Sequence, residues 1–477
     1  MDYEKIGFKC GLEIHQQLDS KKLFCNCPSV LRKDEPDFVI KRKLHAVAGE
    51  SGEVDEAAKY QALLGKEFIY QGYDTICLVE LDEEPPHNIN INALKIALQI
   101  SLLLNCRILP LAQIMRKMVI DGSNTSGFQR TVLIAQDGSV ETGDGKVGIN
   151  AIILEEDAAR IVEKNNNEMI YRLDRLGIPL VEIVTAPDIK SPEQAKSVSL
   201  KIGEILRSCH VRRGIGTIRQ DVSISIKGGK RIEMKGVQEP KIIVPTINGE
   251  IERQIELVKK NKSAAEVRRG NADGTTSFLR PLPGSARMYP ETDLPLLKIS
   301  RELINEVKKT LPKLKKDIEE ELAVQGLNQE MIKLIFKMNK LEEFREFLEV
   351  VNNPQIVAKT LLVFPKEIAK HKKFTIKKIE KILNKDVLIF VLDNLKKKKI
   401  SENQVKKVLE RIVEGMGVED AIVFEKEDLG DAEEKIMKIV KEKPELSEKA
   451  YMGLVMKEFA GKIDGKNAME IIKKYVK

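Results

Sequence analysis

Gly11–Leu18 reads GLEIHQQL, and the rest of the chain is organised around it. Apolar residues flank Glu13 and His15, so the run reads as a buried strand. On a strand, residues two apart share a face, which would set a carboxylate beside an imidazole. A buried carboxylate must be paired or hold a cation, so a salt bridge at a strand end and a metal or phosphate role are both open. Two further apolar runs end in acids: Ile152-Ile153-Leu154-Glu155-Glu156-Asp157 and Ile178-Pro179-Leu180-Val181-Glu182-Ile183-Val184. Several carboxylates and one imidazole on strand-like segments suit a hard divalent cation such as Mg²⁺, which prefers oxygen ligands and commonly also holds substrate phosphates.

At 477 residues the chain exceeds a single core, and several domains are expected. Up to Leu297 it holds most of the glycines, prolines and strand-like runs. Candidate strands are Thr75–Leu81, Thr131–Ala135, Val147–Leu154, Pro179–Thr185, Asp221–Ile226 and Arg231–Met234. Helices are expected from an Asn92 cap through Leu102 and from Ser191-Pro192-Glu193 to Arg207. After Leu297 the spacing turns helical, as at Val405, Val408, Leu409 and Ile412, with breaks at Pro312, Gly326, Pro354, Pro365, Gly415 and Pro444. The expected class is α+β: a mixed α/β domain over 1–297, then two small all-α domains over 298–375 and 376–477.

No run of 18 apolar residues and no signal peptide occur, so a cytoplasmic protein away from membranes is expected. The P-loop pattern and the Gly-x-Ser-x-Gly elbow are both missing, which sets aside P-loop NTPases and α/β-hydrolases. The loop Ile120–Arg130 (IDGSNTSGFQR) concentrates small residues, hydroxyls and amides. With Arg116 and Lys117 just before it, it reads either as an anion site or as a tight turn. The cysteines, at 10, 25, 27, 77, 106 and 209, are too scattered for a disulfide framework. Cys25-Asn26-Cys27 is half of a zinc-type arrangement without a second pair nearby, so reduced structural thiols are the expected reading. Lys366–Ile400 carries 12 lysines against four acids, which reads as a solvated helical face or as a surface for nucleic acid phosphates.

Longer motifs carry a resemblance. Gly11–Leu18, Leu154–Ala158 and Arg175–Asp188 (RLGIPLVEIVTAPD) resemble the signatures of the tRNA-dependent amidotransferase B/E family. Arg287-Met288-Tyr289-Pro290-Glu291-Thr292-Asp293 is similar to that family's arginine–aromatic–proline–acid segment. Leu78–His87, Met115–Arg130 and Phe278–Pro283 resemble the archaeal E-type subunit more than the bacterial B-type. Gly453–Lys457, Gly461-Lys462 and Gly465-Lys466 resemble the family's tail domain, so the likeness covers the whole chain.

The resemblance implies a catalytic cradle domain and a tRNA-binding tail. It implies ATP-dependent conversion of glutamate, mischarged on the tRNA for glutamine, to glutamine, through phosphorylation of the side-chain carboxylate and displacement by ammonia. ATP and Mg²⁺ are the implied cofactors, and an asparaginase-like D subunit the implied ammonia source. A B-type subunit with a glutaminase partner, or a tRNA-binding scaffold without catalysis, are the alternatives. In family terms Glu13, His15, Glu156 and Glu182 match the metal and catalytic positions, with Glu155 the near alternative to Glu156. Arg116, Lys117, Ser123, Asn124, Thr125, Gln129, Arg130, Arg287 and Tyr289 are the implied substrate and ATP contacts. One departure stands out: E-type subunits carry a large insertion resembling part of aspartyl-tRNA synthetase. Here the link near 257–275 is too short to hold it.

Overall fold

The structure, a computed structural model, describes residues 1–45, 52, 63, 65–165, 168–282, 288–424, 429–443, 446–459 and 465–475. The chain divides into two compact units, Met1–Lys315 and Lys316–Lys477.

The first unit is built on a large sheet. Its main strands are β1 (Lys9–Gln17), β2 (Ile114–Met118), β3 (Phe128–Thr142), β4 (Gly145–Glu156), β5 (Pro179–Thr185), β6 (Ile218–Ser225), β7 (Ile232–Lys235), β8 (Glu266–Gly270), β9 (Thr276–Pro281) and β10 (Met288–Pro290). They run in the order β9-β8-β7-β6-β1-β5-β4-β3-β2-β10, with the short strand Arg107–Ile108 also paired to β3. The strand carrying Glu13 and His15 therefore lies in mid-sheet, antiparallel to both β5 and β6.

Alternation along these strands sorts the two faces. Leu12 and Ile14 of β1, Val181 and Ile183 of β5, Ile152 and Leu154 of β4, and Val222 and Ile224 of β6 belong to one apolar cluster. Helices α1 (Ile91–Leu103), α2 (Pro192–Ser208) and α3 (Pro240–Lys259) contribute Leu94 and Leu98, Val198 and Ile202, and Ile247 and Ile251 to the same cluster. The sheet thus buries one face under helices and leaves the other to Glu13, His15, Glu155, Glu182 and Asp221. Because Leu154 is fully buried there, Leu154→Ala is expected to cost about 2–5 kcal/mol, read as a lowered urea midpoint of the first unit.

The expected helices form with small shifts. Asn90, not Asn92, caps α1, accepting from the backbone N–H of Asn92 and Ala93, while Ser191 caps α2 with Pro192 in its first turn. Thr75–Leu81, expected as a strand, is instead a series of turns. The Glu80 carboxylate accepts the backbone N–H of Cys77 and the Glu80 carbonyl accepts the Thr125 hydroxyl, so side chains take the place of ladder bonds. The short link near 257–275 is more than a polar connection, since it supplies β8, parallel to β7 and antiparallel to β9.

A second, smaller sheet runs Phe38–Arg42, Glu67–Gly72, Glu168–Arg172, Arg160–Lys164. It supports the loop after Ile120: the Tyr70 hydroxyl donates to the Gly122 carbonyl at 2.8 Å and the Tyr171 hydroxyl to the Asp121 carbonyl at 2.6 Å. Gly122 has φ +87°, and a Cβ there would run into the Phe68 ring, so glycine is required at this turn.

Helix α4 (Arg301–Lys309), although it follows Leu297, shares the first unit's core through Val307. The second unit is helical from Lys316 onward. One apolar cluster extends from Leu322 to Ala421 and another from Ala432 to Ile472. The expected boundary near 375 falls inside the first cluster, because Ile368, Ile379, Leu392 and Leu409 pack together. Pro365 does not break the chain either; it sits in the first turn of the helix Phe364–Lys372, directly after a π-helical turn at Lys359–Val363. Pro444 lies outside the described residues, as do Gly461 and Lys462. Among the described residues no helix is long and apolar enough to cross a membrane.

Candidate active site

The polar face of β1 gathers the acids. His15 pairs in register with Glu182 of β5 and Arg219 of β6, and Glu13 with Val184 and Asp221. His15 Nε2 lies 3.3 Å from Glu182 Oε2, 3.4 Å from Glu13 Oε1 and 3.6 Å from Glu155 Oε1. Donor atoms of Glu13, His15 and Glu182 all fall within 4.8 Å of one another. Lys117 Nζ closes the group from β2, 2.8 Å from Glu155 Oε2 and 3.9 Å from Glu182 Oε2.

This crowding moves the titrations apart. Burial pushes the Glu13 carboxyl up to about 7, aided by the nearby Glu182 charge. Burial disfavours charge on His15, but the hydrogen bond to Glu182 and the Glu155 and Glu13 carboxylates outweigh it and raise the imidazole to about 9. Glu182, although buried, is held down by the His15 hydrogen bond and the Lys117 ammonium. The His15 ring stands among the carboxylates of Glu13, Glu155 and Glu182, a donor set that a divalent cation would draw together with the imidazole in its neutral form.

Alternation decides between the adjacent acids of β4. Glu155 points to His15 and Lys117. Glu156, expected among the metal positions, projects from the opposite face: its Oε2 accepts the Arg130 backbone N–H at 3.2 Å and lies 3.6 Å from Arg130 Nη1. It does not join the Glu13–His15–Glu182 group.

A cavity of about 530 Å³ opens over the cluster. Of the expected contact residues, Lys117, Ser123, Asn124 and Gln129 line it. Thr125 is buried beneath, donating to Glu80. Arg116 and Arg130 are engaged elsewhere, since both bond to the fully buried carboxylate of Glu291. Tyr289 packs edge-on against Phe128, and Arg287 lies outside the described residues.

The cavity also has walls that sequence reading missed: Asp157, Arg219, Asp221, Glu233, Lys235 and Arg280. Arg219 Nη2 donates to Asp157 Oδ1 at 2.7 Å, and Lys235 Nζ bridges Asp221 at 2.6 Å and Glu233 at 3.0 Å. The signal was present as alternation: Arg219, Asp221 and Ser223 interleave with buried Gln220, Val222 and Ile224. Acids converge at the floor, and the walls carry Lys117, Arg219, Lys235 and Arg280 beside their acid partners, an arrangement able to hold a metal ion together with phosphate groups.

The model of the GatB/GatE catalytic domain matches residues 8–305, which contain every one of these groups. The chain belongs to the GatB/GatE family. The resemblance read from the motifs is thereby upheld over most of the chain. Among its relatives, the E-type glutamyl-tRNA(Gln) amidotransferase chain of Methanocaldococcus jannaschii is 36% identical over 100% of this chain and 99% of its own length. The protein of the same description from Archaeoglobus fulgidus is 35% identical, again over 100% and 99%. That of Methanococcus maripaludis strain S2 reaches 53% identity over 57% of this chain and 43% of its own length. The alignment with the M. jannaschii family member spans 631 positions against 477 residues here, so more than a hundred positions of that relative have no counterpart in this chain.

Proposed function

We propose that this chain is the E-type subunit that receives glutamate-charged tRNA(Gln), phosphorylates the glutamyl side-chain carboxylate with ATP and lets ammonia displace the phosphate. The observation that carries the reading is the convergence of Glu13, His15, Glu155 and Glu182 on one face of the sheet, under a cavity whose walls carry Arg219, Lys235 and Arg280 beside Asp157, Asp221 and Glu233. The full-length likeness to E-type relatives supports the E-type over the B-type reading.

A carboxylate is a poor electrophile, so amide formation needs a leaving group, and phosphorylation installs one. Glu13, His15 and Glu182, with Glu155 beside them, would hold Mg²⁺; the donor set of carboxylate oxygens and one imidazole fits it. When bound, that ion supplies the positive charge needed to bring a phosphoryl group up to a second anion. Lys117, at the edge of the acids, is placed to neutralise charge on the incoming carboxylate. Arg219, Lys235 and Arg280 line the same cavity and would be the cations available to phosphate oxygens there. Gln129 and Asn124 offer amide hydrogens to orient the substrate. Ammonia attack on the acyl phosphate forms the C–N bond as the C–O bond breaks, releasing inorganic phosphate.

Ammonia would come from an asparaginase-like partner protein. With ATP, Mg²⁺, glutamyl-tRNA(Gln) and ammonium chloride, the single chain is expected to form glutaminyl-tRNA. With asparagine or glutamine in place of ammonium it is expected to form none until the partner is added. Amide transfer from asparagine by the single chain, or no product with ammonium at any concentration, would overturn the reading.

A further inference from the structure

On the opposite face of the sheet from the cavity, one carboxylate holds two arginines. Arg116 of β2 and Arg130 of β3 stand directly opposite each other in register. Residues so paired share a face, and like charges there repel. Glu291, which follows β10 directly, resolves the conflict. Its side chain is fully buried; Oε2 accepts Arg130 Nε at 2.8 Å, and Oε1 accepts Arg116 Nη2 and the Asp293 backbone N–H. The Glu291 backbone N–H donates to the Ile114 carbonyl at 2.9 Å, which ties the carboxylate to the start of β2. Burial disfavours its charge, but the Arg116 hydrogen bond, the Asp293 N–H and the Arg130 guanidinium together hold Glu291 below the usual carboxylate range. Both guanidiniums also lie against the Phe128 ring, 4.6 Å and 5.1 Å from its centroid.

The neighbouring residue on each strand points the other way. Lys117 and Gln129 form the adjacent register pair, and both line the cavity, where Lys117 Nζ lies 2.8 Å from Glu155 Oε2. We propose that Glu291 is a positioning residue for the phosphorylation step: by clamping Arg116 to Arg130 on one face of β2 and β3, it fixes where Lys117 stands on the other. The assignment rests on the function proposed above, in which Lys117 meets the incoming carboxylate. With the Glu291 charge gone, two guanidiniums would face each other without their shared counter-charge, and removing one partner of a buried ion pair is strongly unfavourable. The strain would fall on β2, whose outer neighbour β10 pairs with it through only three residues, Met288–Pro290. A displacement of about 1 Å at a substrate-positioning group can cost on the order of 10²-fold in rate.

The test is a double-mutant cycle on the full chain, read as turnover with ATP, Mg²⁺, glutamyl-tRNA(Gln) and saturating ammonium chloride. Glu291→Gln is expected to lower turnover by about 10- to 100-fold, while circular dichroism shows it as fully folded as wild type at the assay temperature. Lys117→Gln is expected to lower turnover on its own. In that background Glu291→Gln should change turnover by less than about twofold, because its effect passes through Lys117 and the two losses do not add. A merely structural role would lower turnover by the same factor in both backgrounds. Should Glu291→Gln fail to fold, Arg116→Gln, which leaves a balanced Arg130–Glu291 pair, carries the same expectations. Equal losses with and without Lys117, or wild-type turnover in Glu291→Gln, would overturn the positioning role while the reaction itself stands. No product from the wild-type chain would overturn the reaction and the positioning role together.

Discussion

Glu182→Gln is expected to lower tRNA-dependent ATP hydrolysis and glutamine formation by on the order of 10²–10³, comparable to removing a principal electrostatic contact from an active site. The amide keeps the size of the side chain and its place on β5, while the charge that faces His15 and Lys117 disappears. Glu155→Gln is expected to behave similarly, because that carboxylate completes the same ring. The informative contrast is Glu156→Gln. Glu156 lies beside Arg130 on the far face, and burial already raises its carboxyl above the usual range. Its loss should cost stability through the Arg130–Glu291 network and leave turnover within about a few-fold of wild type, since most of the effect of such a change is on folding. Rates with ammonium as nitrogen donor, alongside denaturant midpoints, separate the two effects. Near-normal turnover in Glu182→Gln, or a collapse only in Glu156→Gln, would show that other carboxylates carry the reaction.

The second large effect is expected in the helical unit. All 12 lysines of Lys366–Ile400 are exposed, and several have close ionic partners: Lys372 with Glu414, Lys385 with Glu346, Lys397 with Asp393. Changing Lys377, Lys381, Lys396, Lys398 and Lys399 to Gln together is expected to raise the KM for tRNA tenfold or more. Every lysine–phosphate interaction removed should flatten the log–log salt dependence by about 0.7–0.9. Turnover at saturating tRNA should hardly move, because the acid cluster belongs to the other unit. Unchanged tRNA binding with an unchanged salt slope would mean that these lysines serve only to solvate the surface. Truncation tests must respect the packing. A deletion from residue 376 would cut through the Leu322–Ala421 core and unfold what remains, whereas one starting after Phe424 removes only the separate 432–472 cluster.

Sequence alone determined that Glu13 and His15 share one face of a strand, because a two-residue period needs no tertiary information. It also determined the α+β class, the helix start capped at Ser191 and, to within two residues, the start of the helix expected at Asn92, and the family, since these rest on local pattern and on motifs read in order. Which of Glu155 and Glu156 faces His15 was not in the sequence. Both are acids at the end of one apolar run, and the answer depends on how β4 is set against β5. The charged wall of Arg219, Asp221, Glu233 and Lys235 became visible only when the antiparallel pairing laid β6 beside β1 and β7 beside β6. The roles expected of Arg116 and Arg130 changed for a similar reason: Glu291, some 160 residues after Arg130, reaches both through β10. Likewise Cys77 and Glu80 meet Cys25 and Cys27 only because the chain returns to the end of β1. Local periodicity fixes which side chains leave a strand together; strand order and register decide whom they meet, and those depend on contacts between residues far apart in sequence.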